Sequence, residues 1–454
     1  MRHLILGFIL LALLLRQSEL KGTSFPSAVE ATVDEIYAFA DDTVKQRLAQ
    51  LDASIVDHRY DPAVRRLIGM YVDRYRKGSE RLLARSVAYF PYFSQQLAEK
   101  GMPDALKYLT IPESALRPYA LSHVGAAGFW QLMPGTAREQ GLIVNDTLDE
   151  RLDLVRGTEA GLQYLLDQYD RYEDWALAMA AYNSGPGRVN RAKRRSGSSN
   201  YWKLRKYLPR ETRNYVPGYI AVAYLFTYFS AHELQPKPMD PDLQITELIT
   251  VHDFLSLHRV AQVTGLRPAT VIELNPAYLQ GYIPATKEGR TLRVPSRTAE
   301  AMRAYLNTHH TASEEPVIPW LPPRLHSNLA DGREFYRQYT TYPTNVDTSA
   351  QQLAQWLGQS AHQLMIWSGI GPLDSIYQSQ AWTYLKPVNH IAFGEVTQTR
   401  LPAIPSIPRP KYELKSEAFT KTPPAFLPDK TSEDLNEQSS FRRILNKIWH
   451  WIKA

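Results

Sequence analysis

One carboxylate, that of Glu113, stands between a helical pattern and a loop rich in glycine, serine, glutamine and aromatic residues. Its neighbours Ile111, Ala115 and Leu116 are apolar. A carboxyl group keeps its proton near neutral pH when burial disfavours the charged form, and it can then act as a general acid. The pattern therefore predicts general acid chemistry at Glu113. A glutamate that only caps a helix is the alternative.

A second set of residues offers the hydrogen-bonding groups that hold sugar hydroxyl and N-acetyl groups. Ser122 and Gln131 lie in the loop after Glu113, and Tyr182 and Asn183 lie at a second glycine-rich turn, after an alanine-rich helical pattern. Each residue alone is more often an ordinary polar side chain. Their crowding beside two glycine-rich turns is unusual and indicates a cleft for a glycan.

Separated blocks in a fixed order make this pattern specific. ESA at residues 113–115 is followed by GAAGFWQLMP at 125–134, AYNSGPG at 181–187 and ETRNYVP at 211–217. Over roughly residues 95–232 the chain thereby resembles the goose-lysozyme-like lytic transglycosylases of bacterial cell-wall turnover, particularly the membrane-bound type D.

The resemblance implies that Glu113 is the sole catalytic acid and base. It would protonate the glycosidic oxygen between N-acetylmuramic acid and N-acetylglucosamine, and then accept the proton of the muramoyl 6-hydroxyl. That hydroxyl closes on C1 and gives a 1,6-anhydro product without water. Because the N-acetyl group of the substrate assists, no second carboxylate is required, unlike in glycosidases with paired carboxylates.

The scattered histidines lack partners at metal-ligand spacing, so no metal or cofactor is expected. The resemblance also implies which residues bind the peptidoglycan strand. This set is Ser122, Gln131, Met133, Tyr182, Asn183, Glu211 and Tyr215. Ser122 would orient the muramic acid, and Gln131 with Met133 would line the subsite around the scissile bond. Tyr182 would hydrogen-bond Glu113 and hold its orientation.

The sequence departs from the family pattern at three apolar positions and lacks a lipid anchor. Pro112 stands where an aliphatic residue is expected, and Leu116 and Leu132 stand where phenylalanine is frequent. These changes affect the fit of the cleft more than its chemistry. The absence of cysteine removes the lipid-attachment site, and it excludes disulfides, thiolate metal sites and a cysteine nucleophile.

Two other functions remain open at this point. A lysozyme-like hydrolase on the same fold needs a second carboxylate to position water, and the sequence offers Asp146, Asp149 and Asp153 without placing one opposite Glu113. A non-catalytic scaffold that binds peptidoglycan through other modules is the second alternative.

The N-terminus resembles an export signal. A basic start is followed by LILGFILLALLL and then Arg16, an apolar run of roughly 12 residues, whereas a membrane span needs about 20. We predict a signal peptide or signal anchor at residues 1–24, and an exported protein of the periplasm or envelope membrane. A buried core helix is the alternative.

Helical patterns predict a mainly α protein. Amphipathic patterns indicate an N-terminal helical region at residues 25–100, and the lysozyme-like catalytic domain follows at 101–232. Beyond it, VAQVTGLRPATVIELN at 260–275 aligns with LAQWLGQSAHQLMIWS at 353–368. This repeat predicts two small α/β modules at 245–298 and 335–388.

The two modules resemble glycan-binding LysM domains, the second in degenerate form. Each copy predicts a helix, a short turn and a helix, and the first copy is followed by a strand-like TLRVP. Small packing domains without a ligand are the alternative.

The C-terminal tail at residues 389–454 is rich in proline and polar residues, which predicts disorder. It ends in FRRILNKIWHWIKA, where the apolar residues, Trp449 among them, share one helical face and the basic residues lie mostly elsewhere. That pattern is typical of a helix lying on a membrane surface, or of one docking on its own protein. The net charge of +6 is too small on 454 residues to favour nucleic acid as the partner.

Overall fold

The computed structural model describes residues 40–237, 239–308, 317–320, 336–341, 349–374, 380–387 and 397–400. The predicted signal segment at 1–24 and the predicted C-terminal amphipathic helix lie outside the described residues. Within the described ranges, every helix is too short or too polar to cross a lipid bilayer.

Helices dominate the described residues, which confirms the predicted fold class. The α-helices are α1 Asp41–Gln50, α2 Pro62–Gly69, α3 Arg76–Glu99, α4 Thr110–Ser114, α5 Pro134–Glu139, α6 Leu154–Tyr172, α7 Trp175–Ser184, α8 Pro186–Ser196, α9 Tyr201–Leu204, α10 Arg210–Arg213, α11 Tyr215–Tyr228, α12 Pro241–Gln244, α13 Leu257–Thr264, α14 Pro268–Leu274, α15 Ser296–Thr308, α16 Ala350–Leu357 and α17 Ala361–Ser368.

Strands occur after residue 245 and form antiparallel pairs in the described ranges. β1 Thr246–Val251 pairs with β4 Arg290–Pro295, and β2 Leu255–Ser256 pairs with β3 Tyr282–Ile283. β5 Val317–Trp320 pairs with β8 Thr397–Arg400, so part of the predicted tail is a strand. β6 Tyr336–Thr341 pairs with β7 Trp382–Pro387.

The core of residues 40–232 forms around α11, which is apolar on every side. A helix of this kind is stable only when it is buried on every side. Ile220, Val222 and Leu225 are fully buried, and α2, α7 and α10 pack around the helix. Ala178, Ala180 and Ala181 of α7 are also fully buried, and their small side chains let α6, α8 and α11 approach closely.

The sequence repeat corresponds to two copies of a helix pair beside a strand pair. α13 packs on β2 and β3 and α14 on β4, and in the second copy α17 packs on β7. In the first copy Asn275 accepts from the Arg293 N–H at 2.8 Å, and in the second Ser368 Oγ accepts from the Thr383 N–H at 2.8 Å. Both side chains therefore tie the end of the second helix to the last strand of the module.

The second copy packs directly on the long helix α3. His362 hydrogen-bonds Ser86 Oγ at 2.8 Å, and the Gln363 amide donates to Val87 O at 3.2 Å. Trp367 Nε1 donates to Gln244 Oε1 at 2.9 Å. Contacts of this kind on α17 favour a packing role for this helix.

A buried histidine predicts how stability depends on pH. His232 Nε2 lies 2.9 Å from the Tyr224 hydroxyl and 3.2 Å from Arg47 Nη1, and burial together with the arginine charge lowers its pKa to about 3. At mildly acidic pH the unfolded chain therefore binds a proton at His232, whereas His232 in the folded protein stays neutral. As pH falls below about 6.5, native stability should decrease by up to about 1.4 kcal/mol per pH unit.

Urea unfolding between pH 7.5 and 4.5 checks this expectation. The His232→Gln variant keeps a hydrogen-bond acceptor without the titration, so its stability should fall less steeply with acid, by about one proton. The same substitution at the exposed His258 is the control and should keep the parent slope. Equal slopes for the parent and His232→Gln would show that His232 does not cause this pH dependence.

Candidate active site

Glu113 lies in the last turn of the short helix α4, where the chain reverses abruptly. Ala115 and Leu116 both adopt left-handed backbone conformations, with φ of 53° and 58°. Such conformations cost non-glycine residues about 1–3 kcal/mol each and concentrate at functional sites. The Ala115 carbonyl accepts a hydrogen bond from Arg85 Nη1 at 3.3 Å, which ties this turn to α3.

The position of Pro112 is compatible with this short helix. α4 begins at Thr110, so Pro112 falls in its first turn. N–H groups of the first turn have no partner within the helix, and proline is therefore tolerated there. The proline at position 112, where the family pattern has an aliphatic residue, therefore still allows Glu113 to lie at the end of this helix.

The electrostatic environment of Glu113 fits a group that both donates and accepts a proton. Burial raises the pKa of Glu113 to about 7, and the nearby charge of Glu211 acts in the same direction. A hydrogen bond from the Tyr215 hydroxyl to Glu113 Oε1, 2.5 Å long, opposes these effects. Near neutral pH both protonation states are populated, as acid–base catalysis requires.

The tyrosine that holds Glu113 is Tyr215, and the predicted hydrogen bond from Tyr182 is wrong. The Tyr182 hydroxyl donates to the Trp130 carbonyl at 2.5 Å. Tyr182 is still close to Glu113, because the carboxylate charge contributes to raising the pKa of the Tyr182 hydroxyl. Tyr182 therefore links α7 to the loop that carries Trp130.

Ser122 and Gln131 shape the loop after Glu113. Ser122 Oγ accepts from the Ala126 N–H at 2.9 Å, which leaves its own proton to donate. The Gln131 amide donates to the carbonyls of Ala120 and Gly128, at 3.1 and 2.9 Å, from a left-handed backbone with φ of 47°. The amide nitrogen is thus used within the loop.

The remaining predicted residues border the same region from two sides. Met133 is 42% exposed at the end of the loop. Asn183 Oδ1 accepts from Thr212 Oγ1 at 2.9 Å, which joins α7 to α10, the helix that carries Glu211. Glu211 and Tyr215 both act on Glu113, one through charge and one through a hydrogen bond.

Phe129 and Trp130 belong to the core. Each is 1% exposed, and Phe129 packs against Tyr89 and Phe93. Trp130 Nε1 donates to Thr158 Oγ1 at 3.2 Å. Phe129 and Trp130 therefore attach the loop to the core of the protein.

A buried ion pair that the sequence analysis missed holds the loop. Arg151 binds Asp149 through Nε and Nη2, at 2.9 and 2.7 Å, and donates to the carbonyls of Gly125 and Leu132, at 2.6 and 3.1 Å. Gly128 is required beside it, because a Cβ there would lie 1.8 Å from the Arg151 carbonyl oxygen. The sequence gives no local signal for this contact, since the partners come from separate segments.

The aspartates considered as second catalytic carboxylates include two with structural roles. Asp149 belongs to the ion pair with Arg151. Asp153 accepts from the backbone N–H groups of Val155 and Arg156, both at 2.8 Å, and so caps α6. Burial raises the pKa of Asp153 to about 6.

Comparisons with known proteins match two parts of the chain. The family model of the transglycosylase SLT domain matches residues 91–205, and that of the lytic transglycosylase MltD, LysM-like domain, matches residues 245–311. Membrane-bound lytic murein transglycosylase D of Escherichia coli K12 is 27% identical over 289 residues, which cover 63% of this chain and 60% of that protein. The chain thus spans about three fifths of the length of this relative.

A soluble relative and its structure match a shorter part. Soluble lytic murein transglycosylase of Escherichia coli K12 is 31% identical over 154 residues, covering 32% of this chain and 23% of that protein. The crystal structure of the 70 kDa soluble lytic transglycosylase from Escherichia coli covers 32% of this chain and 24% of its own, with 30% identity and a TM-score of 0.28. The two family matches show similarity to a transglycosylase SLT domain at residues 91–205 and to a LysM-like domain of the MltD type at residues 245–311, which confirms the resemblance predicted from the sequence blocks.

Proposed function

We propose that this protein is a peptidoglycan lytic transglycosylase. It cleaves the β-1,4 bond between N-acetylmuramic acid and N-acetylglucosamine and leaves 1,6-anhydro ends. The observation that carries this proposal is the state of Glu113, a carboxyl with a pKa of about 7 that receives a hydrogen bond from Tyr215 beside a loop of the SLT domain.

The reaction needs one group that changes its protonation state twice. Protonated Glu113 donates to the glycosidic oxygen, and the resulting carboxylate then accepts the proton of the muramoyl 6-hydroxyl. Tyr215 keeps the carboxylate oriented in both steps, because its hydroxyl donates to either state. Ser122, Gln131, Met133, Tyr182 and Asn183 are proposed to hold the strand.

A lysozyme-like hydrolase is the second candidate, and Glu211 is the observation that favours it. Its charge acts on Glu113, so a second carboxylate is close to the proposed acid. A hydrolase would use that carboxylate to position water. The transglycosylase instead uses Glu211 to keep the pKa of Glu113 high.

Product analysis distinguishes the two reactions. Purified glycan strands are digested in ¹⁸O-labelled water, and the products are weighed by mass spectrometry. The transglycosylase gives anhydro-muropeptides without label, whereas a hydrolase gives reducing muramic ends that carry ¹⁸O. Labelled reducing ends as the main product would refute the proposal, and the absence of any cleavage would favour a non-catalytic scaffold.

We also propose that the protein is exported and acts in the periplasm or at the envelope membrane. The basic start and apolar run at residues 1–24 support this proposal. So does the similarity to a relative that is named a membrane-bound lytic murein transglycosylase. The proposed domains are 25–100, 101–232, 245–298, 335–388 and the tail 389–454. Within the tail, the amphipathic end supplies a second candidate for membrane contact.

The Tyr215→Phe variant tests the proposed acid. Without the Tyr215 hydroxyl, burial and the Glu211 charge act unopposed, so the pKa of Glu113 rises. Since the first step needs the protonated carboxyl, the alkaline limb of the pH–rate profile should move to higher pH. The lost orientation should also lower kcat about tenfold.

The matched control is Tyr182→Phe, whose hydroxyl bonds Trp130 instead of Glu113. Its alkaline limb should stay at the parent position, whatever happens to KM. Profiles of kcat on purified strands between pH 5 and 9 provide the measurement. If both variants move the limb equally, the hydrogen bond of Tyr215 does not control Glu113.

A further inference from the structure

A short segment before α6, residues 146–152, joins the loop after Glu113 to the LysM-like domain at 245–311. On one side, Arg151 donates to two carbonyls of the loop, at 2.6 and 3.1 Å. On the other side, Leu148 is buried in the apolar core of the LysM-like domain. We call this stretch the bridging segment, because both domains hold it.

Main-chain hydrogen bonds attach the bridging segment to the LysM-like domain. The Asp149 N–H donates to the Ala277 carbonyl, and the Leu279 N–H donates to the Thr147 carbonyl, both at 3.0 Å. These bonds form a short antiparallel pairing between the two domains. The LysM-like domain thereby fixes the position of Asp149, and Asp149 orients Arg151 through their buried ion pair.

An ion pair adds a side-chain contact between the two domains. Arg290 Nη1 of β4 lies 3.0 Å from Glu150 Oε1, and the two side chains are 17% and 8% exposed. The other oxygen of Glu150 accepts from the Ile143 N–H at 2.7 Å and has Arg156 Nε at 4.0 Å. Glu150 directly precedes Arg151 in the chain, so the charge of Arg290 acts on the segment that carries the support of the loop.

A second series of contacts reaches the loop through α3. Arg293 of β4 is buried and donates to the Ala88 carbonyl at 3.2 Å, and its guanidinium lies 4.9 Å from the centre of the Tyr89 ring. The Tyr89 ring lies 4.6 Å from that of Phe129, a residue of the loop. Two separate series of contacts therefore connect the LysM-like domain to the loop.

We propose that the LysM-like domain holds the loop after Glu113 in place, and that Arg290 is a positioning residue for the reaction. The catalytic part of this inference rests on the proposed function, in which Gln131 and Met133 of the loop contact the strand. A displacement of about 1 Å caused by a distant change can lower a rate by about 10²-fold. The domain then acts on the reaction whether or not it binds glycan itself.

Hydrogen exchange of the full chain, measured by mass spectrometry, tests the structural part. Within the loop, Ala127 and Leu132 each donate their N–H to the other's carbonyl at 3.1 Å, so their exchange reports on the loop. The Arg290→Gln variant should exchange the amides of residues 125–133 roughly three- to tenfold faster, because local opening sets the exchange rate. The buried amides of α11 should keep the parent rate.

Kinetics on two substrates test the catalytic part. Arg290→Gln should lower kcat for the release of anhydro ends about tenfold, equally for long strands and for fragments of a few sugars. The fall is equal because the position of the loop affects the chemistry at any strand length. A LysM-like domain that only captures glycan would instead raise KM for long strands and leave short fragments unaffected.

The matched control is Arg303→Gln, in the same domain. Arg303 pairs with Glu247 of β1, so this variant removes the same charge and an ion pair that lies within the domain. Exchange of the loop and kcat should both stay at the parent values. Arg290→Lys keeps a charge opposite Glu150, and it should lie between the parent and Arg290→Gln in both measurements.

A milder variant decides the question if Arg290→Gln does not fold. The Gln280 amide donates to the Asp146 carbonyl at 2.8 Å, on the exposed side of the same contact. Gln280→Ala removes this single hydrogen bond and should give a smaller change in the same direction. Parent exchange at residues 125–133 in this folded variant would then overturn the inference.

The outcomes separate failure of this inference from failure of the proposed function. Parent exchange of the loop in folded Arg290→Gln overturns the support by the LysM-like domain, and so does an equal effect of Arg303→Gln. A kinetic effect confined to KM for long strands overturns the positioning role of Arg290. If the parent protein releases no anhydro ends from either substrate, the proposed function is wrong, and exchange at residues 125–133 still decides whether the domain holds the loop.

Discussion

The Glu113→Gln variant should lose the formation of anhydro ends by roughly 10³-fold or more, because general acid–base catalysis commonly contributes 10²–10⁴-fold and here the same group acts in both steps. Glutamine is nearly isosteric with glutamate. It can neither give up a proton to the glycosidic oxygen nor take one from the 6-hydroxyl. The measurement is the rate of anhydro-muropeptide release from purified strands at pH 7.

The same variant should fold. Glu113 makes no ion pair among the described residues, and a glutamine oxygen can still accept the hydrogen bond of Tyr215. Replacing a buried ionisable group with a neutral one also removes a desolvation cost. We therefore expect an unfolding midpoint equal to or above that of the parent.

Glu139→Gln is the matched control, since Glu139 is an exposed residue of α5. It changes the same atoms and should retain the parent rate. If Glu113→Gln released anhydro ends as fast as Glu139→Gln, another group would be the acid and the present assignment would fail. A Glu113→Gln variant that is inactive because it is unfolded would instead identify a structural glutamate.

The sequence predicts the features of this protein that depend on local patterns. The apolar positions of α11 and the alanines of α7 indicate buried helices, and both are buried. The apolar neighbours of Glu113 predict its raised pKa, since burial is the largest cause of that shift. These properties follow from residue types within one turn of chain.

The sequence does not predict which tyrosine bonds Glu113. Tyr182 and Tyr215 have the same chemistry and lie in blocks of the same family pattern. The choice depends on the paths of α7 and α11 through the core, which bring one hydroxyl to Glu113 and the other to Trp130. Contacts between distant segments decide this, and no local pattern encodes them.

The contacts that support the loop after Glu113 also join distant segments, so the sequence does not predict them. In the sequence Gly128 is one of several loop glycines. The structure shows that the Arg151 carbonyl leaves no room for a side chain at this position. In the sequence Asp149 could be a free carboxylate, but in the structure it pairs with Arg151. The function of these residues lies in a buried network that joins residues about 25 positions apart.

That network leads to the largest expected loss of stability. Arg151 is 5% exposed, and replacing it with methionine leaves the Asp149 charge buried and the carbonyls of Gly125 and Leu132 without their donor. Breaking a buried ion pair at one partner costs about 3–5 kcal/mol. Urea unfolding at pH 7 should show this loss, and catalytic activity should fall because the loop carries Gln131 and Met133.

Arg303→Met is the control because Arg303 pairs with Glu247 at the surface, where an ion pair contributes about 0–1 kcal/mol. The double variant Arg151→Met with Asp149→Leu removes both buried charges, so it should recover part of the loss. The two carbonyls still lack a donor in that variant, and activity should therefore recover less than stability. If Arg151→Met and Arg303→Met lowered stability equally, the buried pair would contribute no more than an exposed one, and the other contacts of the loop, such as the packing of Phe129 and Trp130, would determine its shape.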